Sequence, residues 1–252
     1  MTPFNDTAND PANDTALHQH GLNLAAVFNL SELPPQLLEQ LDSGDIKSSD
    51  YTQLILVGHA GQTLWTQVQQ WQADNHHSGN KGSENPVDDF SIAKTSQWLK
   101  QYLSEDDYVF VYPGPTSINL KALGELAGWH HESPMKIGIH QKWGTWYAYR
   151  ALILANSQFA ASELPVNEKQ SSGSPCEQCI IAPCINACPV GAITGDALDL
   201  ELCIDYRRST GSDCINQCLG RQACHVGKAH QYSDEQIEYH YTCSFRTITG
   251  QN

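Results

Sequence analysis

The stretch Cys176-Glu-Gln-Cys179-Ile-Ile-Ala-Pro-Cys184-Ile-Asn-Ala-Cys188-Pro189 is the most informative part of this chain. It places four cysteines within thirteen residues, in the pattern C-x2-C-x4-C-x3-C-P. Thiolates packed this closely along a chain can wrap an iron–sulfur cube. The stretch therefore predicts an iron–sulfur centre in the C-terminal third of the molecule.

The Cys188-Pro189 step is typical of bacterial ferredoxins, in which the fourth cysteine of such a run ligates a second cluster. The run therefore predicts further cysteines downstream, and the chain supplies four of them. We expect two [4Fe–4S] clusters with interlocked ligands. One cluster would take Cys176, Cys179, Cys184 and Cys224, and the other would take Cys188, Cys203, Cys214 and Cys218.

Two spacings depart from the ferredoxin run. Four residues separate Cys179 from Cys184 instead of two, and His225 follows Cys224 where a proline would be expected. These departures concern how the chain wraps the clusters more than whether it holds them. The ninth cysteine, Cys243, lies outside both sets and is predicted to be a buried or spare thiol.

Disulfides, zinc and free thiols are the alternatives for these cysteines. Nothing at the N-terminus resembles a signal peptide, and disulfides rarely persist in a protein that is not exported. The spacing of Cys176 and Cys179 also suits a zinc knuckle. Zinc sites usually present two separated pairs of ligands, however, so the crowded run favours iron–sulfur and leaves zinc as the main rival.

The composition limits the classes of partner. The 252 residues suit one large domain or two modest ones, and no run of eighteen apolar residues predicts a membrane span. Asp and Glu number 28 against 14 Lys and Arg, which gives a net charge of −14. Such a surface repels phosphate backbones, so we expect a cytoplasmic protein without a nucleic-acid or membrane partner.

Polar segments divide the chain into regions. Residues 1–20 are polar and repetitive and are predicted to be a disordered tail. Residues 166–174 are predicted to be a linker because they are polar and contain glycine and serine. The predicted domains are therefore residues 21–165 and residues 175–252.

The first predicted domain alternates strand-like and helix-like segments, which indicates an α+β fold with a mixed sheet and flanking helices. The predicted strands are Leu22–Phe28, Gln53–Gly58, Tyr108–Tyr112, Lys136–His140 and Trp146–Leu154. The predicted helices are Pro35–Leu41, Thr63–Gln72, Asp88–Leu103 and Thr116–Ala127, with Ser117 as the cap of the last. The glycine-rich motifs of nicotinamide and nucleotide-triphosphate sites are missing.

The segment Ile137–Leu154, IGIHQKWGTWYAYRALIL, resembles a stretch of the cobalamin-processing (CblC-type) proteins. The resemblance implies a nitroreductase/CblC-like fold and a bound corrinoid. Its matched positions, and hence the implied cofactor contacts, are His140, Trp143, Gly144, Trp146 and Arg150. Ordinary core packing of the aromatic residues and a structural role for Arg150 are the alternatives.

The cysteine region resembles the epoxyqueuosine reductases and the corrinoid reductive dehalogenases, which join a CblC-like fold to a double-cluster ferredoxin-like domain. The isolated Cys203 in Cys203-Ile-Asp-Tyr follows the epoxyqueuosine reductase order. At the place of that family's general acid, this chain has Tyr112, which we take as a candidate proton donor; the alternative is a strand-end aromatic. The family's basic C-terminal repeats do not follow before Asn252, so tRNA reduction is not expected.

Together these features predict an iron–sulfur oxidoreductase. A soluble donor of the ferredoxin or flavodoxin type would reduce two [4Fe–4S] clusters, and these would reduce a corrinoid. The corrinoid would undergo reductive ligand removal, or act as Co(I) on a small-molecule substrate. A ferredoxin-like electron carrier without corrinoid is the alternative, and epoxyqueuosine reduction is a less favoured one.

Overall fold

The computed structural model of the chain describes residues 11, 14–77, 83–114, 118–163, 173–195 and 197–250. The chain forms two compact units. The sheet unit comprises residues 1–127 and 148–164, and the cysteine unit comprises residues 128–147 and 165–252. Most of the predicted linker and the first part of the predicted tail lie outside the described residues, as does the predicted cap Ser117.

A four-stranded sheet forms the centre of the sheet unit. Its strands are β1 (Leu24–Asn29), β2 (Gln53–Ala60), β3 (Tyr108–Tyr112) and β4 (Tyr147–Ala155), in the spatial order β1-β2-β4-β3. The outer pairs, β1 with β2 and β3 with β4, are both antiparallel, where a mixed sheet was expected. The sheet with its flanking helices confirms the predicted α+β class.

Strand β2 is buried along its whole length, as expected for a strand inside a sheet that is covered on both faces. Its polar first residue, Gln53, is accommodated because its amide is fully paired. The Oε1 atom of Gln53 accepts hydrogen bonds from Ser157 Oγ at 2.6 Å and from the Phe159 backbone N–H at 3.1 Å. This pairing ties the start of β2 to the segment that follows β4.

Helices flank the sheet. They are α1 (Thr15–Gln19), α2 (Pro35–Leu41), α3 (Thr63–His77), α4 (Pro86–Leu99) and α5 (Leu120–Leu126). Helix α5 begins later than predicted because Asn119 caps it, accepting a hydrogen bond from the backbone N–H of Ala122 at 3.0 Å.

Helix α1 corrects the prediction that residues 1–20 are disordered throughout. Leu17 on this helix is fully buried, and Asp14 caps the helix by accepting a hydrogen bond from Ala16 N at 2.7 Å. Asp14 also accepts a hydrogen bond from Trp98 Nε1 at 2.8 Å. One buried leucine and one carboxylate thus hold residues 14–20 in place despite their polar composition.

The predicted strand Lys136–His140 is not a strand. Lys136 has φ = 55°, in the left-handed region that ends extended structure in a non-glycine residue. Only isolated bridges occur nearby, between His131 and Ile139 and between His140 and Gly144. The segment is a series of turns that belongs to the cysteine unit.

The cysteine unit is built from short helices and loops. Its helices are α6 (Pro183–Asn186), α7 (Leu200–Arg208), α8 (Leu219–Ala223) and α9 (Asp234–Thr249). One small core groups Met135, Cys184 and Ile193, and another groups Trp146, Tyr232 and Ile237. Among the helices of the described residues, none is long and apolar enough to cross a membrane.

Residues 128–147, predicted to lie in the first domain, group with the cysteines instead. Gly144 has φ = 60°, and a Cβ atom there would lie 2.0 Å from the carbonyl oxygen of Val226. A Cβ atom on Gly227 would lie 2.4 Å from Gly144 N. Two glycines therefore allow two backbone segments to cross in contact, and this crossing holds residues 128–147 beside the chain that follows Cys224.

Candidate metal centres

The first set of cysteines forms a group of neighbouring thiols. Burial raises the pKa of the Cys184 thiol, and the neighbouring Cys224, Cys176 and Cys179 raise it further. Burial likewise raises the pKa of Cys176, and the charges of Cys224 and Cys179 raise it further. Since such coupling acts only over short distances in a partly buried site, the four thiols form one electrostatic group.

The second set forms a corresponding group. Burial is the main cause of the raised pKa of Cys203, followed by the nearby thiol of Cys218; Arg207 opposes the rise, and Cys188 and Cys214 add to it. Cys203 lies on α7, and Cys218 is the N-cap residue of α8. The thiols of Cys188, Cys203, Cys214 and Cys218 therefore act on one another, and their assignment to one cluster stays a prediction.

A cavity of about 130 Å³ lies among the four cysteines of the second set. Its wall is mainly apolar, formed by side chains that include Met135, Ile193 and Leu198. The thiol-bearing residues that line it are Cys188, Cys203, Cys214 and Cys218. This is a thiol-lined space with a mainly apolar wall, partly open to solvent.

Helix α8 connects the two sets. Cys218 caps its N-terminus and Cys224 caps its C-terminus, so one short helix carries a ligand of each set. The helix packs closely, because a Cβ atom on Gly220 would lie 2.8 Å from the carbonyl oxygen of Cys184. Only glycine permits this approach between α8 and α6, and the spacing of the cysteines alone did not reveal it.

Backbone N–H groups point at several of the sulfur atoms. The Arg221 N–H donates to Cys218 Sγ at 3.4 Å. Such bonds lower thiol pKa values and so oppose the effect of burial. The backbone N–H groups of Ile185, Leu219 and Val226 likewise lower the pKa values of Cys184, Cys214 and Cys224 respectively, against the effect of burial.

Two arginines and a tyrosine surround the second set. Arg207 is 6% exposed and lines the cavity. The guanidinium of Arg221 lies 4.4 Å from the centre of the Trp146 ring and donates to the Thr145 carbonyl oxygen at 2.6 Å. Burial raises the pKa of Tyr241 to about 12, with Arg221 opposing the rise and Cys218 adding to it.

All nine cysteines are free thiols, which excludes disulfides between them in this structure. Cys243 is exposed on α9, in agreement with a spare thiol. Within the described residues, no three His, Cys, Asp or Glu side chains converge tightly enough to hold a single metal ion.

His140 lies in a tight turn of the cysteine unit. Its Nδ1 atom accepts a hydrogen bond from the Lys142 backbone N–H at 3.0 Å, which requires that nitrogen to be unprotonated. Burial lowers the pKa of His140 to about 4, and the nearby His131 and Lys142 lower it further. His140 is therefore a neutral imidazole at neutral pH.

The other residues of the CblC-like segment that fall in the cysteine unit make packing contacts there. The Trp143 ring packs at a tilt of 58° against His230, with ring centres 4.3 Å apart. Trp146 is fully buried in the core with Tyr232, as the alternative of ordinary packing expects. Gly144 makes the backbone crossing described above.

Arg150 and Tyr112 lie in the sheet unit, within a polar cluster that the sequence did not predict. Arg150 Nε donates to His59 Nδ1 at 2.9 Å, and its Nη1 lies 3.7 Å from Asp88 Oδ1. Burial raises the pKa of Asp88, although Arg150 opposes the rise. Burial also raises the pKa of Tyr112, which keeps its hydroxyl protonated at neutral pH. The available signal was a histidine, His59, near the end of a buried strand that is apolar between Gln53 and Gly58.

No protein-family model matches the chain. No curated protein matches it either. Among solved structures, it is similar to the epoxyqueuosine reductase of Streptococcus thermophilus, with 12% identity, a TM-score of 0.46, and coverage of 84% of this chain and 64% of that one. It is also similar to the epoxyqueuosine reductase of Bacillus subtilis, with 12% identity, a TM-score of 0.47, and coverage of 87% of this chain and 66% of that one.

A third solved structure is an epoxyqueuosine reductase with an epoxyqueuosine-modified tRNA-Tyr stem loop. It is 13% identical, with a TM-score of 0.45 and coverage of 88% of this chain and 66% of that one. The chain thus spans 64–66% of the length of the structures it matches.

This third structure corrects the prediction that nucleic acid is not a partner. A protein of similar arrangement was solved with a tRNA stem loop, so that exclusion is wrong. The exclusion rested on the net charge of −14, which is a sum over the whole chain. A sum of this kind bears on solubility and long-range steering but does not describe any single face of a protein.

Proposed function

We propose that the cysteine unit is a two-cluster, ferredoxin-like domain that holds two [4Fe–4S] clusters and transfers electrons. One cluster would be held by Cys176, Cys179, Cys184 and Cys224, and the other by Cys188, Cys203, Cys214 and Cys218. The observation that carries the proposal is the 130 Å³ cavity lined by all four cysteines of the second set.

The chemistry of the two sets fits such clusters. Burial and mutual repulsion raise the thiol pKa values, so four thiolates side by side would be unstable without a cation to bind. N–H groups directed at the sulfurs, such as that of Arg221 at Cys218, are a usual feature of iron–sulfur sites. The apolar wall around the second set limits access of water.

When bound, the clusters would supply one-electron transfer. The chain itself would hold the ligands and fix the path between them. Helix α8 does this directly, since it positions Cys218 at one end and Cys224 at the other. Met135 and Ile193 shield the cavity of the second set, which limits the solvent exposure on which cluster potentials depend.

We propose a corrinoid as the electron acceptor, on the resemblance of Ile137–Leu154 to the CblC-type proteins. Of the matched positions, His140, Trp143 and Gly144 of the cysteine unit would contribute to its binding, and Tyr112 stays the candidate proton donor. The protonated state of Tyr112 supports this last role. The reaction would be reductive ligand removal or Co(I)-dependent reduction. A carrier that binds no corrinoid is the alternative.

Anaerobic purification, reconstitution with iron and sulfide, and titration with hydroxocobalamin test both parts. We expect a brown protein whose clusters bleach on reduction, and a change in the corrinoid spectrum on mixing. If the clusters form but the corrinoid spectrum does not change, the protein is an electron carrier and the proposed corrinoid role is wrong. A parallel titration with an epoxyqueuosine-modified tRNA stem loop tests the substrate named by the solved structures.

A further inference from the structure

Arg207 is a buried cation in the wall of the second cysteine set. It lies on α7 four residues after Cys203, so both side chains occupy the same face of that helix. Arg207 is 6% exposed and lines the same cavity as Cys203.

Neutral groups hold the Arg207 guanidinium in place. Its Nε donates to the Cys214 carbonyl oxygen at 3.1 Å, and its Nη2 donates to the carbonyl oxygens of Ile215 at 3.1 Å and Tyr241 at 3.0 Å. Its Nη1 donates to Ser244 Oγ at 3.2 Å. These partners orient the guanidinium but carry no negative charge, so its own positive charge is not cancelled by them.

The first set has a different electrostatic surrounding. The cation that acts on Cys224 is Lys228, which is exposed. Its Nζ donates to the Gln222 carbonyl oxygen at 2.8 Å and to Gln231 Oε1 at 2.6 Å. Water screens a charge in that position far more than it screens a buried guanidinium.

Other charges near the second set do not reverse this difference. Arg221 donates its backbone N–H to Cys218 Sγ at 3.4 Å, and its guanidinium lies 4.4 Å from the centre of the Trp146 ring. Asp213 acts in the opposite sense on Cys214, but this carboxylate is exposed and screened. Among the residues that line the cavity, Arg207 is the charged side chain, and it is buried.

We propose that Arg207 is a counter-charge that raises the reduction potential of the cluster on Cys188, Cys203, Cys214 and Cys218, so that this cluster accepts the first electron. This inference rests on the proposed presence of both clusters. Reduction adds one electron and no proton, so it adds one negative charge, and a nearby buried cation stabilises the reduced form. The two clusters would then differ in potential, which gives electron flow a direction.

The test is an anaerobic redox titration with dithionite, followed by electron paramagnetic resonance. In Arg207→Met, the first reduction step should become at least tenfold less favourable, equivalent to a shift of about 59 mV to more negative potential. The second step should not move. Arg207→Lys keeps the charge and should stay within threefold of the wild type. Arg208→Met removes an exposed arginine from the same helix and should change neither step.

Cys176→Ala assigns the steps, because it removes a ligand of the first set only. The remaining step should be the one at higher potential. The inference is overturned if both steps keep their potentials in Arg207→Met, if the lower step moves instead, or if Cys176→Ala leaves the lower step. If Arg207→Met does not fold, Arg207→Lys decides. A tenfold change in its first reduction step overturns the inference, and an unchanged first step supports it. Absence of any reducible cluster in the wild type would instead contradict the proposed function.

Discussion

At the residue scale, His140 shows how local burial changes the chemistry expected from sequence. A histidine in a motif that suggests a cofactor site invites a role as a ligand or a proton carrier. Its Nδ1 is instead occupied by backbone N–H groups, and its pKa lies at about 4. The side chain thus stabilises a turn in its neutral form.

The low pKa of His140 predicts a pH dependence of stability. Between about pH 4 and pH 6.5, the unfolded chain binds a proton on this residue that the folded chain does not. The free energy of unfolding should therefore fall as the pH decreases through this window, by at most roughly 3 kcal/mol and by less to the extent that water reaches the ring. Below about pH 4 this contribution no longer changes.

Urea unfolding of the wild type and of His140→Asn at several pH values measures this contribution. The asparagine Oδ1 can replace Nδ1 as an acceptor but does not titrate. The difference in stability between the two proteins should change with pH between about 4 and 6.5, with the variant gaining on the wild type as the pH falls. A difference that is the same at every pH would show that His140 titrates normally.

At the element scale, α8 is the part of the fold on which both candidate metal centres depend. It carries Cys218 and Cys224 at its two ends and packs against α6, which carries Cys184. Gly220 lies at the point of closest approach. A change at this one position should therefore affect both cysteine sets.

Gly220→Ala should loosen the cysteine unit. The added Cβ would lie 2.6 Å from Ile193 Cδ1, which can move, and 2.8 Å from the Cys184 carbonyl oxygen, which cannot move without its helix. We expect the steric clash to lower the free energy of unfolding by about 1–3 kcal/mol. The higher helix propensity of alanine offsets at most roughly 1 kcal/mol of this loss. Iron loss to a chelator after reconstitution should be faster than in the wild type.

Gly195→Ala is the matched control, because nothing lies within 4 Å of a Cβ atom at that position. It should release iron at the wild-type rate. If Gly220→Ala also released iron at that rate and unfolded at the same urea concentration, the packing of α8 against α6 would not control cluster retention.

The element scale also shows what local patterns can predict. Strand β3 and helix α2 lie where the sequence placed them, because β-branched and aromatic content in one case and Pro35 at the helix start in the other are local signals. The strand expected at Lys136–His140 is missing because the left-handed backbone of Lys136 leaves no trace in its side-chain pattern. The N-terminal helix α1 depends on distant partners such as Trp98.

At the scale of the whole molecule, the grouping of the cysteines was predictable and their surroundings were not. The spacing of the eight cysteines predicts both sets, since the interlocked order follows from the run ending at Pro189. The buried cation Arg207, the close approach at Gly220 and the grouping of residues 128–147 with the cysteines all depend on contacts between segments distant along the chain. No local pattern encodes such contacts.

The most direct test of the account is the iron, sulfide and zinc content of the anaerobically reconstituted protein and of two cysteine variants. We predict about eight iron atoms per chain and no stoichiometric zinc. Cys203→Ala, which removes a ligand of the cavity, should lower the iron content to about half, and Cys243→Ala, at an exposed position outside both sets, should not change it. Stoichiometric zinc in place of iron, or an iron content that Cys203→Ala leaves unchanged, would contradict the assignment of two clusters to these eight cysteines.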